Sequence, residues 1–142
     1  MNDEFDCLKL ENQLCFPLYA ASREILRKYT PYLKEINLTY TQYIVMMLMW
    51  EHKKLNIGEL GKYLFLDTGT LSPLLKGMEA KGLITRERQK NDERVVNITI
   101  TSKGEELKLL ALSIPKKIFS CINLDEADAK ELYRILYKIL GC

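Results

Sequence analysis

Apolar side chains recur every three to four residues toward both ends of this 142-residue chain, which is the spacing of amphipathic helices. The first such stretch runs from Leu8 to Tyr29, with Pro17 inside it and Pro31 after it. Because proline lacks a backbone N–H, Pro17 predicts a kink and Pro31 predicts a break before a short helix at Tyr32–Ile36. The apolar stripe of this first helix consists of Leu14, Leu18, Ile25 and Tyr29.

Three more helical stretches flank a central segment of mixed character. Side chains suited to helix capping precede them, namely Thr39 or Thr41, Thr101 or Ser102, and Asp125. Pro115 interrupts the helix that follows Ser102. The helix after Thr39 carries the apolar run Ile44, Val45, Leu48 and Met49, and the last helix carries Leu132, Ile135, Leu136, Ile139 and Leu140.

The central segment predicts two short helices in succession. A short apolar stretch at Leu55–Ile57 precedes a helix at Gly58–Leu64, and Asp67 then caps a helix from Thr68 to Lys81 that Gly82 ends. Pro73 lies inside this second helix and conflicts with the helical pattern. Its inward stripe is Leu71, Leu74, Leu75 and Met78, and its outward residues are Thr68, Thr70, Ser72, Lys76 and Glu79.

A β-hairpin is predicted next, because residues 84–89 and 95–101 alternate in polarity around the turn-forming pair Asn91–Asp92. The fold class is therefore mainly α with a small β-hairpin (α+β). Two short helices followed by a hairpin form a winged helix-turn-helix at Leu55–Thr101, with the second helix presented to the major groove of duplex DNA.

Charge supports a DNA-binding interpretation less than the order of elements does. The net charge is only +2, and acidic residues of the hairpin nearly balance its basic ones. Strand alternation nevertheless separates the signs, since Arg86 and Arg88 lie opposite Glu87. The predicted DNA-contacting residues are Thr68, Thr70, Ser72, Pro73 and Lys76 on the helix, and Arg86, Arg88, Lys90 and Arg94 in the hairpin.

The terminal helices carry more apolar surface than one small domain can cover. Burial against a second copy is the natural solution, so residues 1–38 and 102–142 are predicted to form a dimerisation region. A two-fold dimer would place two recognition helices on successive turns of DNA. The expected partner is therefore a near-palindromic operator.

Composition places the protein among globular, cytoplasmic proteins, with 47% hydrophobic and 28% charged residues. The acidic start at Met1–Asp6 lacks the features of a secretory signal, and the apolar run Tyr43–Trp50 is too short to span a membrane. The scattered cysteines do not suggest a disulfide scaffold, and His52 is the only histidine, so neither a zinc site nor a cofactor is expected.

Two sets of motifs resemble a known family. The segments LDTGTLSPLLK at 66–76, GLITR at 82–86 and DER at 92–94 resemble the MarR family of dimeric repressors. The N-terminal LENQLCF at 10–16, with Tyr19-Ala20 and Ser22-Arg23-Glu24, resembles its organic-hydroperoxide-sensing, OhrR-type branch. The resemblance implies one MarR-type domain over residues 1–142, and it accommodates Pro73 within the recognition helix.

The resemblance also implies a redox switch. Cys15 corresponds to the peroxide-reactive thiol, whose oxidation to a sulfenic acid and then to a disulfide or another adduct releases the operator. The tyrosines that hydrogen-bond this sulfur correspond to Tyr29 and Tyr40. Tyr29 lies fourteen positions after Cys15, which is about 21 Å along one helix, so it must come from the partner chain. Tyr19, four positions from Cys15, shares its helix face.

The remaining cysteines divide this branch of the family. Members with two functional cysteines resolve the sulfenic acid with a thiol near the C-terminal helices of the other subunit, and Cys121 matches that region. Cys7 lies about 12 Å of helix rise from Cys15, beyond disulfide reach, and Cys142 is terminal. We favour Cys15 with Cys121, while an external thiol remains the alternative.

Two other functions compete with the redox repressor. A MarR-type repressor released by a phenolic or other small ligand would need no thiol oxidation. A thiol peroxidase is disfavoured because the sequence shows no catalytic histidine or paired acids, so the chain is predicted not to be an enzyme. One departure from the family is Gly77, where related repressors often carry a basic residue, so operator affinity is expected to differ.

Overall fold

The computed structural model describes residues 4–141, and its elements confirm a mainly α fold with a small β wing. In this range it has seven α-helices and three short strands. They are α1 Cys15–Glu35, α2 Tyr40–His52, β1 Lys54–Asn56, α3 Ile57–Leu64, α4 Thr68–Ala80, β2 Ile84–Arg88, β3 Val96–Ile100, α5 Ser102–Ala111, α6 Ile114–Cys121 and α7 Glu126–Ile139.

The N-terminal helix begins later than the apolar spacing predicts. Two 3₁₀ turns, Asp6–Leu8 and Leu10–Asn12, occupy the segment predicted as helix, and α1 starts only at Cys15. The kink expected at Pro17 was therefore wrong. Pro17 is the third residue of α1, where a backbone N–H has no intrahelical acceptor, so proline costs no hydrogen bond there.

The break expected at Pro31 was also wrong, because α1 continues through it to Glu35. Pro31 removes only one intrahelical bond, and burial of Leu33 in the following turn offsets that loss. The chain then turns at Asn37, whose φ is +53°. Of the two residues predicted to cap α2, Thr39 does so, and it forms a capping box with Gln42.

The core is built around α2 and the helices and sheet that pack on it. Met46, Met49, Leu71 and Leu75 have no exposed surface. The Trp50 indole N–H donates to the Gly104 carbonyl over 2.9 Å, which joins α2 to the first turn of α5. Gly104 is required there, since a Cβ would collide with the Leu83 carbonyl oxygen. One continuous cluster of buried side chains thus extends from Leu33 to Ile118.

The sheet is antiparallel with strand order β1-β3-β2. Leu55 pairs with Ile98 on one side of β3, and Arg86 pairs with Ile98 on the other. The predicted caps are also present, because Asp67, Thr101 and Asp125 each accept a backbone hydrogen bond at the start of α4, α5 and α7. Gly82 has the predicted positive φ, +75°, and lets the chain pass from α4 into β2.

Candidate redox site and DNA-binding surface

The exposed face of α4 carries the predicted recognition residues. Thr68, Thr70, Pro73 and Lys76 are exposed and Ser72 is partly exposed, while Leu71, Leu75 and Met78 fix the opposite face in the core. The Asp67 carboxylate accepts the Thr70 N–H over 2.7 Å, and this bond holds the pKa of Asp67 below its usual value. The helix is thus anchored at its start, and its polar side chains project together.

Gly77 lies on α4 without a side chain to contact DNA. An added Cβ would meet only the Gln42 amide nitrogen at 3.8 Å, an ordinary van der Waals distance. The fold would therefore accept a larger residue at position 77, and the effect of Gly77 on operator affinity stays a prediction.

Arg86 is committed to a contact within the chain. Its guanidinium Nη2 lies 3.2 Å from Glu79 Oε1, and its backbone N–H donates to Glu79 Oε2 over 2.8 Å. Both side chains are partly buried. Arg86 therefore fixes the hairpin to the recognition helix, a structural role that the strand pattern alone did not indicate.

The other basic residues of the hairpin lie nearer its tip. Arg88 donates from Nη1 to the Glu93 carbonyl, and Arg94 donates from Nε to Asp92. The Arg94 side chain is nevertheless 92% exposed, and Lys90 is exposed as well. Arg94 and Lys90 are therefore the hairpin cations best placed to reach a phosphate.

Cys15 is the first residue of α1 and is an exposed free thiol. Tyr19 follows one turn later on the same face and is 58% exposed. Its ring lies under the Arg23 guanidinium at 5.5 Å, and its hydroxyl accepts a hydrogen bond from Arg23. Within one chain, Tyr19 is the predicted site tyrosine that shares this end of the helix with Cys15.

The predicted partners Tyr29 and Tyr40 lie at the other end of α1, in contact with each other. Their ring centroids are 5.0 Å apart in an edge-on arrangement, and Tyr43 completes the cluster at 5.8 Å from Tyr29. Burial, followed by the proximity of Tyr40 and Tyr43, raises the pKa of Tyr29 to about 12. The Tyr29 hydroxyl therefore remains protonated at neutral pH and can donate a hydrogen bond.

Cys121 ends α6, which packs against the C-terminal half of α1. It is an exposed free thiol one helical turn after Lys117, whose ammonium lies 5.2 Å from the centroid of the Tyr32 ring. Cys7 is also exposed, in the 3₁₀ turn before α1, and Cys142 lies outside the described residues.

Cys15 and the other redox residues are separated within the chain. Tyr29 lies fourteen residues along α1 from Cys15, and Tyr32, whose ring contacts Lys117 of α6, lies seventeen residues along it. At ~1.5 Å per residue these intervals are about 21 Å and about 26 Å. Disulfide formation needs Cα atoms within about 7 Å, so Cys15 and Cys121 of one chain cannot be bridged in this conformation.

Tyr32 and Tyr43 are the residues of this region that the sequence did not reveal. Tyr32 is one turn from Tyr29 on α1, and Tyr43 is one turn from Tyr40 on α2. This i, i+3 spacing of tyrosines was the available signal.

Among residues 4–141 there is no helix long and apolar enough to cross a membrane. The same residues contain no group of three or more His, Cys, Asp or Glu side chains that could hold a metal ion.

Comparison with known proteins identifies the family. Residues 27–109 match the family model described as transcriptional regulator SarA/Rot. The organic hydroperoxide resistance transcriptional regulator of Bacillus subtilis is 48% identical over 140 residues, which is 99% of this chain and 95% of the relative. This chain belongs to the MarR-type regulators, in the organic-hydroperoxide branch.

Solved structures of AbfR from Staphylococcus epidermidis resemble this MarR-type regulator over most of its length. Reduced AbfR bound to DNA is 35% identical, with a TM-score of 0.77 and coverage of 94% of this chain and 93% of that one. AbfR with its disulfide formed is 34% identical, with the same coverage and a TM-score of 0.67. Overoxidized AbfR bound to DNA gives a TM-score of 0.78, so the regulator is closer in shape to both DNA-bound forms of AbfR than to the disulfide form.

Proposed function

We propose that this protein is a homodimeric transcriptional repressor that binds a near-palindromic operator and leaves it when an organic hydroperoxide oxidises Cys15. The separation of Cys15 from Tyr29 along a single uninterrupted helix carries this proposal. It means that a redox site of the family's kind must be assembled from two chains, so oxidation acts directly on the dimer that holds two DNA-reading helices.

The DNA-binding region is proposed to be residues 55–101. Thr68, Thr70, Ser72, Pro73 and Lys76 of α4 would enter the major groove, and Arg88, Lys90 and Arg94 would contact the backbone or minor groove beside it. Arg86 would act indirectly by holding the wing to Glu79. The likeness to DNA-bound reduced AbfR supports this surface.

The dimer is proposed to form through residues 1–38 and 102–142. Several large apolar side chains of these regions are exposed in the single chain, including Leu14 at 87%, Leu109 at 78% and Leu112 at 76%. Within the described residues, α7 has no buried position. Apolar exposure on this scale is typical of surfaces that another chain covers.

The redox pocket would then contain Cys15 of one protomer with the partner's Tyr29 and the partner's Tyr40. Reaction with a hydroperoxide transfers one oxygen to sulfur, giving a Cys15 sulfenic acid and an alcohol. Attack by the partner's Cys121 forms the disulfide and releases water. Because Cys121 adjoins Tyr32 near the tyrosine cluster, the same end of α1 can supply both the hydrogen-bond donors and the resolving thiol.

The decisive experiment measures operator binding by fluorescence anisotropy before and after an organic hydroperoxide is added. Wild type is expected to dissociate, Cys15→Ser to stay bound, and Cys7→Ser to behave as wild type. Release of Cys15→Ser by the hydroperoxide would exclude the sensor role. Non-reducing electrophoresis should show a dimer-sized band that Cys121→Ser lacks, and its absence in wild type would favour an external thiol.

One observation favours a second candidate, release by a small apolar ligand. A cavity of about 390 Å³ lies between α2 and the α5–α6 region, lined in part by Tyr43, Met47, Trp50 and Leu112. A phenol or another small, mainly apolar ligand would suit this lining. Dissociation from DNA with no change in thiol mass would support this alternative, and dissociation only with added oxygen on Cys15 would exclude it.

A further inference from the structure

Lys81 joins the end of the recognition helix to the turn between α1 and α2. It is the C-cap residue of α4, and its side chain is partly exposed. Its ammonium donates to the Asn37 carbonyl oxygen over 2.7 Å and to Gln42 Oε1 over 2.8 Å. Within the part of the chain that the structure describes, no other side-chain hydrogen bond connects α4 or its C-cap to α1, α2 or their turn. The Lys81 ammonium therefore supplies the directed bonds between the DNA-reading helix and that turn.

Gln42 connects this contact to the capping box of α2. Gln42 is only 8% exposed, and its Oε1 also accepts the Thr39 N–H over 3.1 Å. The Thr39 hydroxyl accepts the Gln42 N–H in return, over 3.3 Å. One oxygen thus serves both the start of α2 and Lys81, so a shift of the α2 cap displaces an acceptor of Lys81.

The same turn of α2 carries a tyrosine of the proposed redox pocket. Tyr40 follows Thr39 directly in the chain, and its ring centroid lies 5.0 Å from that of Tyr29. A rearrangement of this tyrosine pair therefore reaches the α2 cap without passing through another element. Hydrogen bonds weaken steeply as their angle and distance depart from ideal values. The two bonds of Lys81 are accordingly sensitive to small displacements of the turn.

The backbone of Lys81 is held from the opposite side by α5. Lys103 Nζ donates to the Lys81 carbonyl oxygen over 2.7 Å, and Gly82 then turns the chain into β2 with a φ of +75°. The Lys81 N–H itself donates to the Gly77 carbonyl within α4. These bonds limit how far the ammonium can follow an acceptor that moves, so a displaced turn loses its contact with α4.

We infer that Lys81 is a positioning residue for DNA binding, whose bonds to the α1–α2 turn hold α4 in its DNA-reading orientation and are lost when the tyrosine cluster rearranges around the oxidised Cys15 of the partner subunit. The inference rests on the proposed function, in which that cluster receives the partner's Cys15. A contact made in one state and absent from the other contributes to the difference in ligand affinity between the two states. Lys81 thus accounts for part of the difference in operator affinity between reduced and oxidised protein.

The test compares operator affinity in the two redox states. Fluorescence anisotropy gives the Kd of the full-length dimer, reduced and after an organic hydroperoxide, at several salt concentrations. Lys81→Met keeps the apolar stem and removes the ammonium, whereas Gln42→Glu keeps an acceptor oxygen and the capping box. Lys34→Met, at an exposed lysine in the last turn of α1, is the matched control. Hydrogen exchange of the amides of residues 81–83, which bond to carbonyls of α4, is followed in wild type in both states.

Lys81→Met is expected to weaken operator binding by the reduced protein about three- to ten-fold, the effect of one or two hydrogen bonds, and to leave binding by the oxidised protein unchanged. The ratio of the two affinities should therefore fall. Gln42→Glu and Lys34→Met should keep the wild-type ratio. In wild type, oxidation should speed the exchange of amides 81–83, because the end of α4 loses its support.

Three results would overturn the inference alone. They are an unchanged affinity ratio in Lys81→Met, an equal loss of affinity in both redox states, and a salt dependence that is flatter by about one unit, since the last indicates a direct phosphate contact. If Lys81→Met does not fold, hydrogen exchange in wild type decides, and unchanged exchange of amides 81–83 on oxidation overturns the inference. Failure of the hydroperoxide to release wild type from the operator would overturn the proposed function and this inference with it.

Discussion

The DNA-reading region and the helical ends of this chain differ in how far one chain completes them. In residues 54–101 the central apolar side chains are buried within the chain, and Leu60, Leu71 and Ile98 have no exposed surface. At the ends, Leu109 and Leu112 remain largely exposed, and α7 has no fully buried residue. One chain therefore completes the DNA-reading region, residues 54–101, called the reader below. It supplies only half of the surface that is proposed to control DNA binding.

The polar groups show the same difference. In the reader, Glu79 is satisfied by Arg86, and Asp67 by the Thr70 N–H. In the proposed redox region, Cys15 lies at one end of α1 and its predicted hydrogen-bond donors lie at the other. Under the proposed function, regulation depends on two chains, because the partner would bring the tyrosines that Cys15 lacks in its own chain.

The largest expected effect on stability comes from replacing a buried leucine of the reader by alanine. The same substitution at an exposed leucine of the terminal helices provides the comparison. Leu75→Ala should lower the free energy of unfolding by about 2–5 kcal/mol, because Leu75 is fully buried in the reader. Leu109→Ala should leave the folding of the reader intact and instead weaken the dimer, since Leu109 is 78% exposed in the single chain. Urea unfolding at several protein concentrations separates the two effects. A loss for Leu109→Ala that is independent of concentration would contradict the dimer surface.

A smaller effect is expected where the wing is fixed to the recognition helix. Glu79→Gln should lower stability by about 1–2 kcal/mol, because it removes a charge-assisted bond to the partly buried Arg86. Glu87 follows Arg86 in β2 and is exposed. Glu87→Gln should therefore change stability by less than about 0.5 kcal/mol. Thermal unfolding measures both. Equal effects of the two variants would mean that Arg86 is not a structural anchor.

A smaller change in stability is expected from removing the aspartate that caps a helix, and each region contains one such aspartate. Asp67→Ala should lower the Tm by about 2–4 °C, since it leaves the Thr70 N–H at the start of a packed helix unsatisfied. Asp125→Ala removes the same kind of bond from α7 and should fray that helix, with little change in the Tm of the reader. Circular dichroism follows both changes. A larger Tm loss for Asp125→Ala would reverse the comparison.

The Asp67 effect should depend on pH. The hydrogen bond from Thr70 depresses the pKa of Asp67 in the folded chain. Its contribution is therefore present above the ordinary aspartate pKa of about 3.9 and is lost as the pH falls through the lower folded value. Wild type and Asp67→Ala should accordingly converge in Tm in strong acid.

The fold was predictable where local rules and burial agree. The caps at Thr39, Asp67 and Asp125 and the left-handed Gly82 follow from side-chain chemistry at helix ends, and the structure confirms them. The start of α1 was not predictable from apolar spacing, because 3₁₀ turns and a helix place leucines at similar intervals. Whether Pro17 kinks a helix depends on where that helix begins, so one error produced the other.

The site was predictable only where sequence position implies geometry. The distance between Cys15 and Tyr29 follows from helix rise alone once both lie on α1. The contacts of Arg86 with Glu79 and of Lys117 with Tyr32 join different elements, and no periodicity encodes them. Such contacts depend on packing, which a local pattern does not describe.

Tyr29→Phe has the smallest expected effect on folding and tests the comparison most directly. If the hydroxyl serves the partner's Cys15, its loss should change stability at neutral pH by less than about 0.5 kcal/mol. It should still slow sulfenic acid formation about five-fold, because one hydrogen bond contributes about 1 kcal/mol. Dimedone trapping measures that rate, and Tyr63→Phe, whose side chain is 54% exposed, is the matched control.

Alkaline pH supplies an independent measure of the same hydroxyl. The pKa of Tyr29 is about 12 in the folded chain, against about 10 when unfolded, so the unfolded chain loses this proton first. Its contribution to stability is therefore complete below pH 10 and is lost as the pH rises toward 12. Tyr29→Phe should lack this part of the alkaline decline in urea unfolding, whereas Tyr63→Phe should retain it. An unchanged decline in Tyr29→Phe would mean that the tyrosine cluster is not preformed within one chain, and the hydrogen-bond donors of the proposed redox pocket would then not be in place before the dimer forms.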